Sequence, residues 1–232
     1  MAGKRLTKKW LKYHFTYSWW KYAVVVVLCW LGVDMLFAMT AYRPPEEKKL
    51  ELYVLNDFVT TEPLHDQLWP QLQAQSPDQE ELTVLNINIS TDDMYTYMQF
   101  STYVSAKQGD VCIMPRSELV KLAADGAEYA FLELTPYIEN GVIDPKGIDL
   151  SSGMLKTEAG GEALFAIPAD SLTGLREFSN DPSDSYLFIF AHGGNDENAA
   201  ILLDLLIRNY HVDEPEDYKK PQESLQIPTT IF

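Results

Sequence analysis

The chain alternates polar and apolar stretches on two scales. Near its start, residues 22–42 (YAVVVVLCWLGVDMLFAMTAY) form one long apolar block, about the 20 residues an α-helix needs to cross a hydrocarbon core. Beyond it the apolar runs are short. LELYVLND (50–57), ELTVLNINI (81–89) and DVCIMP (110–115) are near-continuous apolar runs bounded by polar residues, as expected of strands covered on both faces. Residues 61–75 place Leu64, Leu68 and Leu72 at helical spacing behind Thr60 or Thr61 as cap, and Pro70 predicts a break or kink. Thr91-Asp92-Asp93 opens a second helix reaching about Ala106. On it Met94, Tyr97, Met98, Ser101 and Val104 share one face, which reads as core packing. Residues 116–125 predict a short helix ended by Gly126.

Residues 151–161 read as a Gly/Ser-rich loop, ALFAIPAD (163–170) as a strand, 180–184 as a turn and SYLFIFAH (185–192) as a strand. The helix that follows has its apolar face at Ala199, Leu202, Leu203, Leu206 and Ile207. The order β-α-β-α-β-α predicts an α/β fold, a single doubly wound sheet lobe with helices on both faces, behind an N-terminal transmembrane helix. The expected organisation is a basic cytoplasmic tail (1–21), the transmembrane helix (22–42), a spacer stiffened by Pro44-Pro45 (43–49), an extracytoplasmic domain (50–212) and an extended, charged, Pro-rich tail (213–232).

Charge changes this picture by giving it a direction. Lys4, Arg5, Lys8, Lys9, Lys12 and Lys21 precede the block with no acidic residue among them, so the positive-inside rule puts the N-terminus in the cytoplasm. Beside a span, this basic aromatic tail rests on anionic headgroups rather than on nucleic acid. Trp19, Trp20, Tyr22 and Tyr42 flank the block as an interfacial belt, and the exit Met39-Thr40-Ala41 is a poor peptidase site. The flanks thus favour an uncleaved anchor over a signal peptide. Asp34 is discordant, because a mid-span carboxylate costs roughly 2.5–3.5 kcal/mol on insertion scales. It either tolerates a place near the outer boundary or meets a polar group on a partner helix. The whole chain carries −16; from Arg43 onward 12 basic residues face 33 acidic ones, a net −21. Such a domain does not bind nucleic acid. Cys29 lies in the block and Cys112 in an apolar run, so no internal disulfide staples the domain, and Cys112 reads as a small buried hydrophobe.

In an open α/β sheet, ligands sit beyond the carboxyl ends of the strands. The residues expected there include Asp57, Thr91, Arg116, Ser117 and Asp170, with Asn56, Phe58, Ser90 and Ser171 beside them. An acid, a guanidinium and hydroxyls suit a polyol or a polar peptide; equally, Asp57, Thr91 and Ser117 have the side chains that cap helices. Trp69 has the surface to stack on a sugar, although helix-buried tryptophans are commoner. His14, His65, His192 and His211 lack ligand spacing, no calcium-loop pattern occurs, and no catalytic constellation stands out. Neither a metal, a cofactor nor an enzymatic activity is expected. His192-Gly193-Gly194 reads as a turn.

Three segments carry a family resemblance: GDVCIMPRSELVKLAADGAEYAFLELTPYIENGVID (109–144), GEALFAIPADSLTGL (161–175) and SDSYLFIFAHGGNDENAAILLDLLI (183–207). Together they resemble the extracellular solute-binding proteins of bacterial ABC transporters, over roughly residues 50–209. The resemblance implies a non-enzymatic binding domain and an ABC permease or other membrane protein as partner. It also implies a second lobe, on the order of 100 residues or more, between the last two segments. Here only residues 176–184 separate them, so one lobe is expected. That leaves two functions open: a binding or assembly module anchored beside a transporter or envelope complex, and a solute receptor feeding a permease.

Overall fold

The computed structural model describes residues 8–42, 44–55, 60–89, 94–124, 126–178, 182–191 and 194–212. The chain divides into two units, Met1–Arg43 and Pro44–Phe232. The first is helix α1 (Lys8–Thr40), whose stretch Trp19–Thr40 is long and apolar enough to cross a membrane. Its large side chains, Trp30, Leu36 and Phe37 among them, are exposed rather than packed.

The second unit follows the order β1 (Lys49–Leu55), α2 (Thr61–Gln75), β2 (Glu81–Ile87), α3 (Met94–Ser105), β3 (Val111–Pro115) and α4 (Arg116–Leu122). Two short helices come next, α5 (Ala127–Ala130) and α6 (Thr135–Glu139). Then come β4 (Met154–Lys156), β5 (Glu162–Leu164), β6 (Ala166–Pro168), β7 (Ser185–Ile189) and α7 (Asp196–Tyr210). A five-stranded sheet takes the order β2-β1-β3-β7-β6. β1 pairs in parallel with β2 and β3, while β7 is antiparallel to both β3 and β6. Four strands therefore run one way and β7 alone runs back. The fold is α/β around a mostly parallel sheet.

Alternation along each strand builds two cores. Leu52, Val54, Val111, Ile113, Leu187 and Ile189 point to one face, where they meet Leu64, Leu68 and Leu72 of α2 and Leu202, Leu203 and Leu206 of α7. Tyr53, Leu55, Cys112, Met114, Phe188 and Phe190 point to the other, with Phe100 of α3 and Leu119 of α4. Strands with a core on each side have no solvent face to carry polar residues, which is why they read as unbroken apolar runs. Phe188 sits edge-on to Phe131 and Phe190, with centroids 4.6 and 5.0 Å away. Cys112 is buried and free, and burial pushes its thiol well up.

The structure departs from the sequence expectations in four places. Of the break or kink expected at Pro70, the break does not occur: the helix is continuous over Thr61–Gln75. Pro70 is exposed, so the carbonyl it fails to serve faces water. Of the face expected to be core on α3, Val104 packs inward, but Tyr97, Met98 and Ser101 are exposed, and Phe100 and Tyr103 pack inward beside Val104. The Gly/Ser-rich loop contains β4, which pairs antiparallel with β5 as a separate two-stranded sheet. ALFAIPAD is accordingly two strands, β5 and β6, rather than one. Gly153, just before β4, is fixed by close approach, because a Cβ there would stand 1.8 Å from the Ala166 carbonyl oxygen.

Candidate functional site

The carboxyl ends of β1, β2, β3 and β6 lie at one edge of the sheet, and the start of β7 meets them there. Of the expected ligand residues, Asp57 and Thr91 lie outside the described residues, as do Asn56, Phe58 and Ser90. Arg116 and Asp170 are brought together through a residue the sequence reading assigned only to a turn, Asp184. The Arg116 amide donates to the Asp184 carbonyl (2.9 Å). Asp170 Oδ1 accepts from the Asp184 amide (2.9 Å). Asp184 holds a left-handed backbone, φ 59°, a conformation that Asp tolerates better than most residues. Burial raises its carboxyl above the ordinary range; the Arg116 guanidinium draws it back down, and Asp170 adds to the rise.

The ends of β3, β6 and β7 are thus joined by two backbone amides and the Asp170 carboxylate, with the Arg116 guanidinium near enough to act on the Asp184 carboxyl. Part of this set is structural, since Asp170 closes the turn into β7. Its exposed side can present both a cation and an acid to a polar ligand. Ser117 is exposed on the first turn of α4. It is not that helix's cap, which is Pro115 with no side-chain bond. Ser171 is half-buried, its hydroxyl oxygen buried without a hydrogen-bond partner among the described residues. Its carbonyl accepts from Val212 (3.1 Å), and Phe178 O accepts from Thr60 N (2.8 Å). Trp69 packs half-buried against the core and stacks with His65, ring centroids 6.2 Å apart. The turn at His192-Gly193 lies outside the described residues.

A second feature was not anticipated. At the opposite, amino end of the strands a cleft of about 320 Å³ opens between Glu46–Lys48, the turn after α3 and the start of α7, with Glu51 and Asp110 in its wall. Glu51 Oε2 accepts from the Tyr53 hydroxyl (2.8 Å) and the Gly109 amide (2.9 Å). Asp110 Oδ2 accepts from the Glu51 amide (2.8 Å), and the Asp110 amide donates to the Glu51 carbonyl (3.0 Å). Burial, opposed by that amide and reinforced by Glu51, Asp196 and Glu46, pushes the Asp110 carboxyl up to about 7. Burial and the Glu51 carboxylate also push the Tyr53 hydroxyl well up. The sequence signal was available: Glu51 is a lone acid inside an apolar strand. Among the described residues no three His, Cys, Asp or Glu side chains are grouped as a metal ion would require.

No family model matches the chain, and no curated protein matches it. Among solved structures it is similar to an extracellular solute-binding protein family 1 member from Alicyclobacillus acidocaldarius subsp. acidocaldarius DSM 446. That match has 16% identity and a TM-score of 0.31, over 55% of this chain and 28% of the other. It is also similar to a probable secreted solute-binding lipoprotein from Streptomyces coelicolor, at 16% identity and a TM-score of 0.33, over 54% of this chain and 30% of the other. The matched part thus spans less than a third of each neighbour's length.

Proposed function

We propose that the chain is a single-pass membrane protein with a cytoplasmic N-terminus. Its residues 50–212 form a one-lobed, extracytoplasmic, solute-binding-protein-like module without catalytic activity, working in binding or assembly beside a transporter or another envelope protein. The observation that carries this reading is in α1: the stretch Trp19–Thr40 is of spanning length and none of it is buried, and a short Pro-stiffened spacer joins it to an acidic α/β domain. A bilayer covers such a surface, and the basic flank sets its direction. Asp34, exposed in the middle of that surface, supplies a polar contact for a partner helix.

Two experiments test it. Protease added to intact cells should digest the domain and spare the basic tail; digestion of the tail alone would reverse the topology and end the proposal. Full-length protein from gently solubilised membranes should co-purify with a permease or other membrane protein, and Asp34→Leu should weaken that association. Retention unchanged in Asp34→Leu would remove Asp34 from the interface.

The convergence of Arg116, Asp170 and Asp184 favours a second reading, a sugar or peptide receptor delivering its solute to an ABC permease. Asp57, Thr91 and Ser117 would join these residues at the same edge. A panel of sugars and short peptides should then raise the melting temperature of the full-length protein in detergent. Arg116→Ala should abolish the shift; a shift that survives Arg116→Ala places the solute elsewhere.

A further inference from the structure

Glu51 and Asp110 are an unusual pair to find in the wall of a cleft, because the described structure gives neither a compensating cation. Among the described ion pairs, Lys49 reaches Glu46 (3.4 Å) and none reaches Glu51 or Asp110. One Glu51 oxygen takes two donors, Gly109 N and Tyr53 OH. Asp110 accepts the single Glu51 amide. The other groups facing Asp110 are mostly acidic: Glu46 and Glu47 from the segment by which the chain enters the domain, and Asp196 from the first turn of α7. Lys49 on β1 and Lys107 after α3 line the same cleft. Tyr103 of α3 stands behind Tyr53, ring centroids 5.9 Å apart.

A second negative charge placed against Glu51 has no ion-paired counter-charge among the described residues, Lys49 and Lys107 lining the cleft without pairing to it, and a proton drawn from the cleft supplies one. The backbone makes the pair consequential. The mutual bonds between residues 51 and 110 fix the amino ends of β1 and β3, and Phe190 N donates to Asp110 O (3.0 Å), adding the end of β7.

We propose that Glu51 and Asp110 form a proton-operated latch. With a proton on Asp110 the amino ends of β1 and β3 close against Glu46–Lys48 and the start of α7, and loss of the proton loosens that end of the domain. Burial places the titration of Asp110 near 7, so the latch works around neutral pH. Glu51→Gln keeps an acceptor for Tyr53 and Gly109 and removes the neighbouring charge, so it should move the loosening to lower pH. Because Glu51 raises Asp110, its neutralisation lets Asp110 ionise more readily, and the midpoint moves down.

Hydrogen–deuterium exchange on full-length protein in detergent reads this directly, at pH 5.5 and 8.5 after correction for intrinsic exchange. Protection at residues 49–55 and 109–114 should fall roughly tenfold between the two, the factor that one unit of titration supplies. Protection at Leu202–Leu206 in the core face of α7 should fall no further than the global stability does. Asp110→Asn should hold the acid-form protection at both pH values. Protection independent of pH in the wild type overturns the proposal, and so does an Asp110→Asn protein that keeps the wild-type dependence. Should Asp110→Asn fail to fold, the Glu51→Gln midpoint decides: a downward shift supports the latch and an unmoved midpoint rejects it.

Discussion

Asp204 sits on the buried face of α7 with 1% of its surface exposed, where an unpaired carboxylate would not survive. Both its oxygens are used: Oδ1 accepts from the Asp144 amide (2.8 Å) and Oδ2 from Arg208 Nε (2.6 Å). Asp204→Ala should leave a buried amide and a guanidinium without their acceptor, at a cost of about 2–4 kcal/mol in urea unfolding. Asp204→Asn keeps an acceptor for Asp144 and should cost less. The Lys48–Glu80 pair is as short, 2.6 Å, but 44% and 32% exposed, so Lys48→Ala should cost under about 1 kcal/mol. This contrast is partly legible in sequence. A lone acid within an apolar run, as at Glu51 or Asp204, marks a buried carboxylate that must have partners. Which partners it has is not legible, because Asp144 and Asp204 are brought together by the fold alone. Asp184 was missed for the same reason: its role depends on β6 and β7 lying side by side.

At the scale of elements, period and run length placed most of the fold. Leu64, Leu68 and Leu72 are buried on α2, and Ala199, Leu202, Leu203, Leu206 and Ile207 are buried on α7. The failure on α3 is instructive because the spacing was right and the face was wrong. Tyr97 and Met98 line up with Val104 at helical spacing, but so do Phe100 and Tyr103, and only the packing against β1 and β2 selects the Phe100–Tyr103–Val104 side. Phe100 is 3% exposed whereas Tyr95 is 76% exposed. Phe100→Ala should therefore cost about 3–5 kcal/mol, and Tyr95→Ser should stay within about 0.5 kcal/mol. Similar losses from both would mean that α3 buries its Tyr95 side. Pro70 is a second position where packing outweighs a local signal, since no break occurs there. Its ring removes a helix bond, yet the burial of Leu68 and Leu72 on either side holds the helix through it. Pro70→Ala should raise stability by about 2 kcal/mol. Proline is about 3 kcal/mol worse than alanine inside a helix, and the freer unfolded chain returns up to about 1.

For the whole molecule, the net −21 from Arg43 onward and the titrations of its desolvated acids act in the same direction. The carboxyls of Asp110, Asp184 and Asp204 are all raised, each chiefly by burial. A raised carboxyl is protonated in the folded state at pH values where the unfolded chain has already ionised. Its contribution is fully present below the unfolded value and is lost as pH rises through the folded one. For Asp110 that window runs from 3.8, its ordinary value, to about 7, and its size is at most about 4 kcal/mol at 1.36 kcal/mol per unit. Repulsion among the remaining carboxylates weakens the compact state over the same range. The full-length protein in nonionic detergent should therefore melt at a higher temperature at pH 5.5 than at pH 8. Two perturbations separate the causes. Salt screens exposed charges over about 10 Å at 0.1 M and should reduce the surface part of the difference. Asp110→Asn should reduce the buried part and leave the salt dependence in place. A melting temperature that rises from pH 5.5 to pH 8 would show instead that depressed, cation-paired carboxylates dominate the domain, and the uncompensated pair at Glu51 and Asp110 would not be its controlling charge.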